Sequence, residues 1–163
     1  MKLYEQLTLK SAWLAALLYG ASGVMLTYEV GARYLFIAPT SWASELSQLC
    51  LIYGTLLAMP WALQFRRHIQ INAIIHKLSD LNQRRIGIVM MIILIIFSLY
   101  VTIYGFEIFY ESFEKGRTTG SLLDMPSWVA ELPVPLCFLM LIFQALIELK
   151  KMISGITPPK GEH

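Results

Sequence analysis

Five charged side chains near the ends of long apolar runs are the ones whose chemistry could serve a function: Glu29, Arg33, Glu45, Glu107 and Glu131. Glu29 and Arg33 stand four residues apart with the acid first, which favours an ion pair on a helix. Carboxylates deep in a membrane can bind ions or protons, but a coupling site is expected near mid-bilayer. Because the alternating runs bring all five side chains to one boundary, we predict an outer-face charge cluster that sets depth in the membrane and bonds between helices. Docking of a partner protein and direct ion coupling are the alternatives.

Several other chemistries lack the residues they need. Cys50 and Cys137 form no CxxC motif and no metal-ligand spacing. The three histidines, His68, His76 and His163, lie outside the apolar runs, where they could not hold a haem between helices. No GxxxxGK[ST] phosphate loop occurs. We therefore predict no cofactor, no metal site and no enzymatic activity.

The composition identifies the class of protein that must position these charges. Of 163 residues, 56% are hydrophobic and 15% are charged, and the mean hydropathy is +0.58. Soluble domains carry about 25% charged residues, so we predict an integral membrane protein. The net charge of +2 is too small to indicate a nucleic-acid partner.

Four apolar runs are long enough to cross a ~30 Å hydrocarbon core as helices. We predict an all-α membrane protein, one domain over residues 1–163, with an uncleaved first helix and a disordered tail at 157–163. In the last run, Pro133 suits a helix start, so a short turn over residues 127–132 should precede the main helix. The predicted transmembrane spans cover about residues 11–36, 42–65, 86–113 and 128–149.

A basic segment separates the second and third runs. Apolar residues at Ile71, Ile74, Ile75 and Leu78 follow a helical stripe, so we predict a short amphipathic helix at about residues 67–81, lying in the headgroup layer. An ordinary solvated loop is the alternative. The cationic and histidine side chains of the basic segment would fix the membrane topology and contact phospholipids. They are Arg66, Arg67, His68, Lys77, Arg84 and Arg85.

The distribution of positive charge predicts the orientation. With four spans, the basic segment and both termini lie on the same side, and this side holds ten of the thirteen Lys and Arg residues. Positive charge resists translocation, so we predict that both termini and the basic segment are cytoplasmic.

The chain resembles the small membrane subunit (DctQ-like) of tripartite ATP-independent periplasmic (TRAP) transporters over about residues 9–151. The resemblance rests on the order and spacing of short motifs within the four-span layout. These are Arg33-Tyr34-Leu35-Phe36, Trp42-Ala43-Ser44-Glu45-Leu46, Gly54, His68-Ile69-Gln70-Ile71, and Pro126-Ser127-Trp128 followed by Pro133.

The resemblance implies a role in sodium-coupled uptake of organic acids across the bacterial inner membrane. A large elevator-type membrane subunit would hold the substrate and sodium sites, and a periplasmic substrate-binding protein would deliver the substrate. The small subunit would serve as scaffold and as part of the docking surface, with no catalytic residue. Small residues on the first helix would permit close helix contact: Ala15, Ala16, Gly20, Gly23 and Gly31.

Two other functions remain open at this point. The chain could be an autonomous small four-helix transporter, for which Glu29 is the candidate functional acid. It could also be the membrane anchor of another complex.

Overall fold

A computed structural model describes residues 2–38, 40–64, 80–121 and 123–154. Four of its helices are long and apolar enough to cross a membrane, which confirms the predicted all-α class and the number of spans. The helices are α1 (Lys2–Leu35), α2 (Ala43–Gln64), α3 (Asp80–Glu114), α4 (Ser127–Glu131) and α5 (Pro133–Ile153).

The break between α4 and α5 confirms the prediction made from the prolines. Pro133 occupies the first turn of α5, where its missing N–H has no intrahelical partner to lose. The five-residue helix α4 precedes it. Lys150 and Lys151 lie in the last turn of α5, where cations interact favourably with the helix dipole.

The long helices form two antiparallel pairs, α1 with α2 and α3 with α5, and α2 joins the pairs by packing on α5. The connection between α1 and α2 and the connection between α3 and α4 lie at one end of this bundle, which we call the Glu29 end. The opposite end, where α5 finishes, is the Glu148 end.

Helices α1 and α2 pack closely at Gly54. A Cβ on Gly54 would lie 3.4 Å from the carbonyl oxygen of Ala15, which is itself buried. Of the small residues predicted to permit helix contact, Gly20, Gly23 and Gly31 instead face open space. The contact therefore comes from Ala15 on α1 and from Gly54 on α2.

The apolar core lies nearer the Glu148 end. Leu63 of α2, Met91 of α3, and Leu141 and Ala145 of α5 form one buried cluster. Most other large apolar side chains are exposed, especially along α3. Such an exterior suits lipid, which solvates apolar side chains.

The predicted interfacial helix over residues 67–81 falls almost wholly outside the described residues, and α3 begins at Asp80. The predicted tail at 157–163 also lies outside them. Both stay predictions, as does the side of the membrane on which each terminus lies.

Candidate functional site at the Glu29 end of the bundle

A buried carboxylate fastens the end of α1 to the chain that follows it. Glu29, only 4% exposed, accepts hydrogen bonds on Oε1 from Arg33 Nε (3.2 Å) and Nη2 (2.6 Å). Its Oε2 accepts from the backbone N–H of Thr40 (3.0 Å) and from the Thr40 hydroxyl. The predicted Glu29–Arg33 pair is thus confirmed, and Thr40 completes it. We call these three residues the Glu29 clasp.

The Glu29 clasp is built as a structural bond rather than as an ion site. Both carboxylate oxygens of Glu29 already accept charge-assisted or backbone hydrogen bonds, which are among the stronger bonds in proteins. A cation would have to displace Arg33 or Thr40 to reach them.

The clasp holds a protruding apolar segment, residues 34–37, which we call the apolar tip. Tyr34, Leu35, Phe36 and Ile37 are 77–87% exposed. The backbone N–H groups of Phe36 and Ala38 both donate to the carbonyl of Ala32, at 3.3 and 3.1 Å. Ile37 lies between them with φ at 51°, a left-handed conformation that is rare for a β-branched residue.

Glu45 fastens a different connection. Its carboxylate accepts hydrogen bonds from the Ser121 hydroxyl (2.7 Å) and from the backbone N–H of Leu123 (3.2 Å). Glu45 lies in the first turn of α2, where the helix dipole favours an acid. It therefore ties the start of α2 to the segment between α3 and α4.

The same segment also forms ion pairs with Glu111 of α3, which the sequence analysis did not predict. Glu111 accepts from Lys115 Nζ (2.6 Å) and from Arg117 Nη2 (2.9 Å). The four-residue spacing of Glu111 and Lys115 is the signal that could have found it. Gly116 and Gly120 adopt φ near +60°, which glycine allows at no steric cost, and so the chain folds back towards α2.

The remaining two predicted residues stand apart. Glu107 is exposed on α3. Glu131 ends the short helix α4, and its Oε2 is buried with no hydrogen-bond partner among the described residues. Glu29 and Arg33 form one contact and Glu45 takes part in another, so the five predicted side chains do not meet in a single cluster. Their part in docking a partner stays a prediction.

A buried polar group at the Glu148 end was also missed. Glu148, 1% exposed, accepts on Oε1 from Lys151 Nζ (2.8 Å) and from Gln144 Nε2 (3.4 Å). All three side chains are on α5, where spacings of three and four residues bring them together. The sequence analysis assigned no role to Gln144 or Glu148.

The start of α1 is bonded to the other helices at the same end. Thr8 donates its hydroxyl to Gln64 Oε1 of α2 (2.8 Å), and Tyr4 donates to the carbonyl of Met140 of α5 (2.6 Å). Burial raises the pKa of the Tyr4 phenol above its ordinary value, so this side chain remains a donor at neutral pH. Together the two bonds fix α1 against α2 and α5.

Of the residues predicted to face the cytoplasm, Arg84 has a clear structural role. Its Nε and Nη2 donate to the carbonyls of Met152 (2.9 Å) and Ile153 (2.5 Å) at the end of α5. Arg side chains commonly satisfy the last carbonyls of a helix in this way. Arg85 is exposed, whereas the remaining predicted residues, Arg66, Arg67, His68 and Lys77, lie outside the described residues.

Metal chemistry finds no support in the part of the chain that the structure describes. No group of three or more His, Cys, Asp or Glu side chains there could hold a metal ion. Cys50 and Cys137 are both free thiols.

Four long apolar helices, with charged residues bonded near their ends, define a multi-pass membrane protein. The family model described as "Tripartite ATP-independent periplasmic transporters, DctQ component" matches residues 23–155. The chain therefore belongs to the DctQ component family, a family of transporter components and not of enzymes. This confirms the resemblance inferred from the sequence motifs. A search among curated proteins returned no match.

Proposed function

We propose that this chain is the small permease subunit of a sodium-coupled importer of organic acids in the bacterial inner membrane. It acts as a static scaffold for a large elevator-type membrane subunit, which holds the substrate and sodium sites. A periplasmic substrate-binding protein delivers the substrate. Membership of the DctQ component family is the observation that carries this proposal.

The bonding of the charged side chains supports a scaffold role. The carboxylate oxygens of Glu29 and Glu45 accept hydrogen bonds that hold the ends of helices in place. Arg84 caps α5. A carrier needs a polar group that can exchange partners during transport, whereas these groups fix the positions of helices relative to one another.

Reconstitution tests the proposal. The chain, the large subunit and the binding protein are placed in liposomes with an inward sodium gradient, together and with each component omitted. We expect uptake of a labelled organic acid only with all three present. Uptake by this chain alone would contradict the scaffold role and favour the autonomous transporter. Copurification with a non-transport complex would favour a membrane anchor.

We further propose that both termini and the basic segment are cytoplasmic, which makes the Glu29 end periplasmic. The charge bias supports this orientation. In intact spheroplasts, a membrane-impermeant maleimide should label the variant Asp124→Cys but not Lys77→Cys, in a chain without its own cysteines. The opposite labelling pattern would reverse the proposed orientation.

A docking role for the binding protein has its own support at the Glu29 end. Glu107, Glu114 and Asp124 are exposed there. An acidic surface would attract a basic patch on a soluble partner and raise the rate of encounter more than the affinity. Replacing the three acids by their amides should raise the KM for uptake and weaken its dependence on salt, with little change in assembly.

A further inference from the structure

Two tyrosines of α3 lie inside the apolar part of that helix. The 21 residues between Arg85 and Glu107 carry no charge, and as a helix they cover about 31 Å, which matches the ~30 Å of a hydrocarbon core. The middle of this stretch is Ile96, and Tyr100 stands four residues, about 6 Å, from it. Aromatic side chains on a helix lean towards its N-terminus, so Tyr100 and Tyr104 lean towards mid-depth and not towards the nearer surface.

The hydroxyls of these two tyrosines form no hydrogen bond with any residue that the structure describes. The two rings pack on each other, with centroids 4.3 Å apart. Tyr100 is 59% exposed and Tyr104 is 48% exposed. Each phenol is therefore presented to whatever surrounds α3 within the membrane.

The other tyrosines of the chain are either bonded or close to a membrane surface. Three of the eight form a hydrogen bond to another helix: Tyr4, Tyr19 and Tyr53. Three more lie within three residues of a charged side chain at the Glu29 end, where aromatic residues commonly meet the headgroups: Tyr28, Tyr34 and Tyr110. Tyr100 and Tyr104 thus differ from the rest, because they combine depth with unpaired hydroxyls among the described residues.

Lipid tails cannot satisfy these hydroxyls. A hydroxyl without a hydrogen bond in hydrocarbon costs free energy, and the oxygen atoms of phospholipids lie in the headgroup layer, outside the hydrocarbon core. Isoleucine, leucine and phenylalanine would meet lipid at this depth without that cost. Two neighbouring phenols therefore distinguish a protein partner, which can supply an acceptor at this depth, from lipid.

The two tyrosines lie on the side of α3 that faces away from the bundle. The helix is the least buried of the four spans and packs chiefly on α5. Its packed side includes Ser98, which is fully buried, and Tyr100 lies two residues, about 200°, further round the helix. Spacings of three and four residues form one exposed stripe, which we call the tyrosine face: Ile93, Ile96, Tyr100 and Tyr104.

We propose that the tyrosine face of α3 docks on the large membrane subunit, which supplies a hydrogen-bond acceptor to Tyr100 or Tyr104 within the hydrocarbon core. The inference rests on the proposed function, since the family implies such a subunit, and adds the surface through which the two chains are joined. A soluble binding protein cannot reach this depth. The acceptor is a polar side chain or a backbone carbonyl freed where a transmembrane helix is broken. Because the two rings already pack on each other, little conformational entropy is lost on assembly.

Photocrosslinking tests this contact directly. In the chain coexpressed with the large subunit and the binding protein, Tyr100→p-benzoylphenylalanine preserves an aromatic side chain on the tyrosine face. We expect irradiation of membranes to give an adduct between this chain and the large subunit. An adduct with phospholipid alone, or with a second copy of this chain alone, would overturn the proposal.

Removal of the hydroxyls alone provides a second, quantitative test. Tyr100→Phe with Tyr104→Phe keeps both rings and should lower the association constant with the large subunit in detergent by about fivefold to tenfold. The matched control is Tyr110→Phe, at a position of α3 that is similarly exposed but close to the membrane surface, and should change it less than twofold. Equal effects of the two variants would overturn the proposal. If the unsubstituted chain does not bind the large subunit, the proposed function itself fails, which is a distinct result.

Discussion

Thr40 donates both its backbone N–H and its hydroxyl to the buried carboxylate of Glu29, eleven residues earlier in the chain. This bond closes the connection between α1 and α2, while Arg33 neutralises the same carboxylate from within α1. Glu29 thereby fixes the backbone next to the most exposed large apolar residues among those that the structure describes.

The hydroxyl of Thr40 can be tested by an isosteric substitution. Thr40→Val removes one donor to Glu29 but keeps the backbone N–H and the side-chain shape. We expect the thermal midpoint of the detergent-solubilised chain to fall by about 2–4 °C. Thr40→Ser, which retains the hydroxyl, should stay near the unsubstituted protein. Equal midpoints for Val and Ser would show that the hydroxyl bond contributes nothing.

The backbone strain at Ile37 predicts a substitution that raises the stability of the chain. Ile37→Gly relieves the left-handed backbone conformation, so it should stabilise the isolated chain by up to about 1 kcal/mol. Ile37→Ala keeps the unfavourable φ and should give no such gain. Chemical unfolding of both variants measures the difference, and a Gly variant no more stable than the Ala variant would refute the strain.

At the Glu148 end, the buried carboxylate should matter more for stability than an exposed one. Glu148→Gln removes a buried charge and leaves the partly exposed Lys151 without this ionic partner, which should lower the free energy of unfolding by about 2 kcal/mol. The control is Glu107→Gln, at an exposed position, and should change it by less than about 0.5 kcal/mol. Similar values for the two variants would contradict the burial of a stabilising pair.

The close approach of α1 and α2 predicts a contrast between two glycines. Gly54→Leu places a large side chain against the backbone of Ala15, so it should separate the helices and lower the thermal midpoint of the isolated chain. Gly23→Leu enters open space and should leave that midpoint unchanged. Circular dichroism melting in detergent distinguishes them, and a loss of stability in Gly23→Leu alone would contradict the packing.

Features set by neighbours in the sequence could be predicted, and features set by tertiary packing could not. The four spans follow from composition, the start of α5 follows from Pro133, and the Glu29–Arg33 pair follows from helical spacing. By contrast, Ser121 reaches Glu45 across 76 residues. Alternation of the spans places these acids towards one end of the helices, but that placement does not determine which donor each acid meets.

The buried polar groups at the Glu148 end escaped prediction for a related reason. Gln144 and Glu148 stand near the end of an apolar run, where an exposed interfacial position is the usual expectation. Both side chains are buried on α5, against which α2 and α3 pack. Likewise, the sequence of residues 34–37 does not indicate that all four side chains are exposed at the end of α1.

A static scaffold must stay rigid while the large subunit moves, and crosslinking within this chain tests that rigidity. Tyr19 of α1 bonds Thr55 of α2, and Phe97 of α3 packs on Phe138 of α5, so cysteine pairs at these positions can be joined by a cleavable bifunctional thiol reagent. In the reconstituted transporter, with Cys50 and Cys137 replaced by Ala, we expect uptake of the organic acid to continue at an unchanged rate after crosslinking. Loss of uptake that is restored when the crosslinks are cleaved would contradict it.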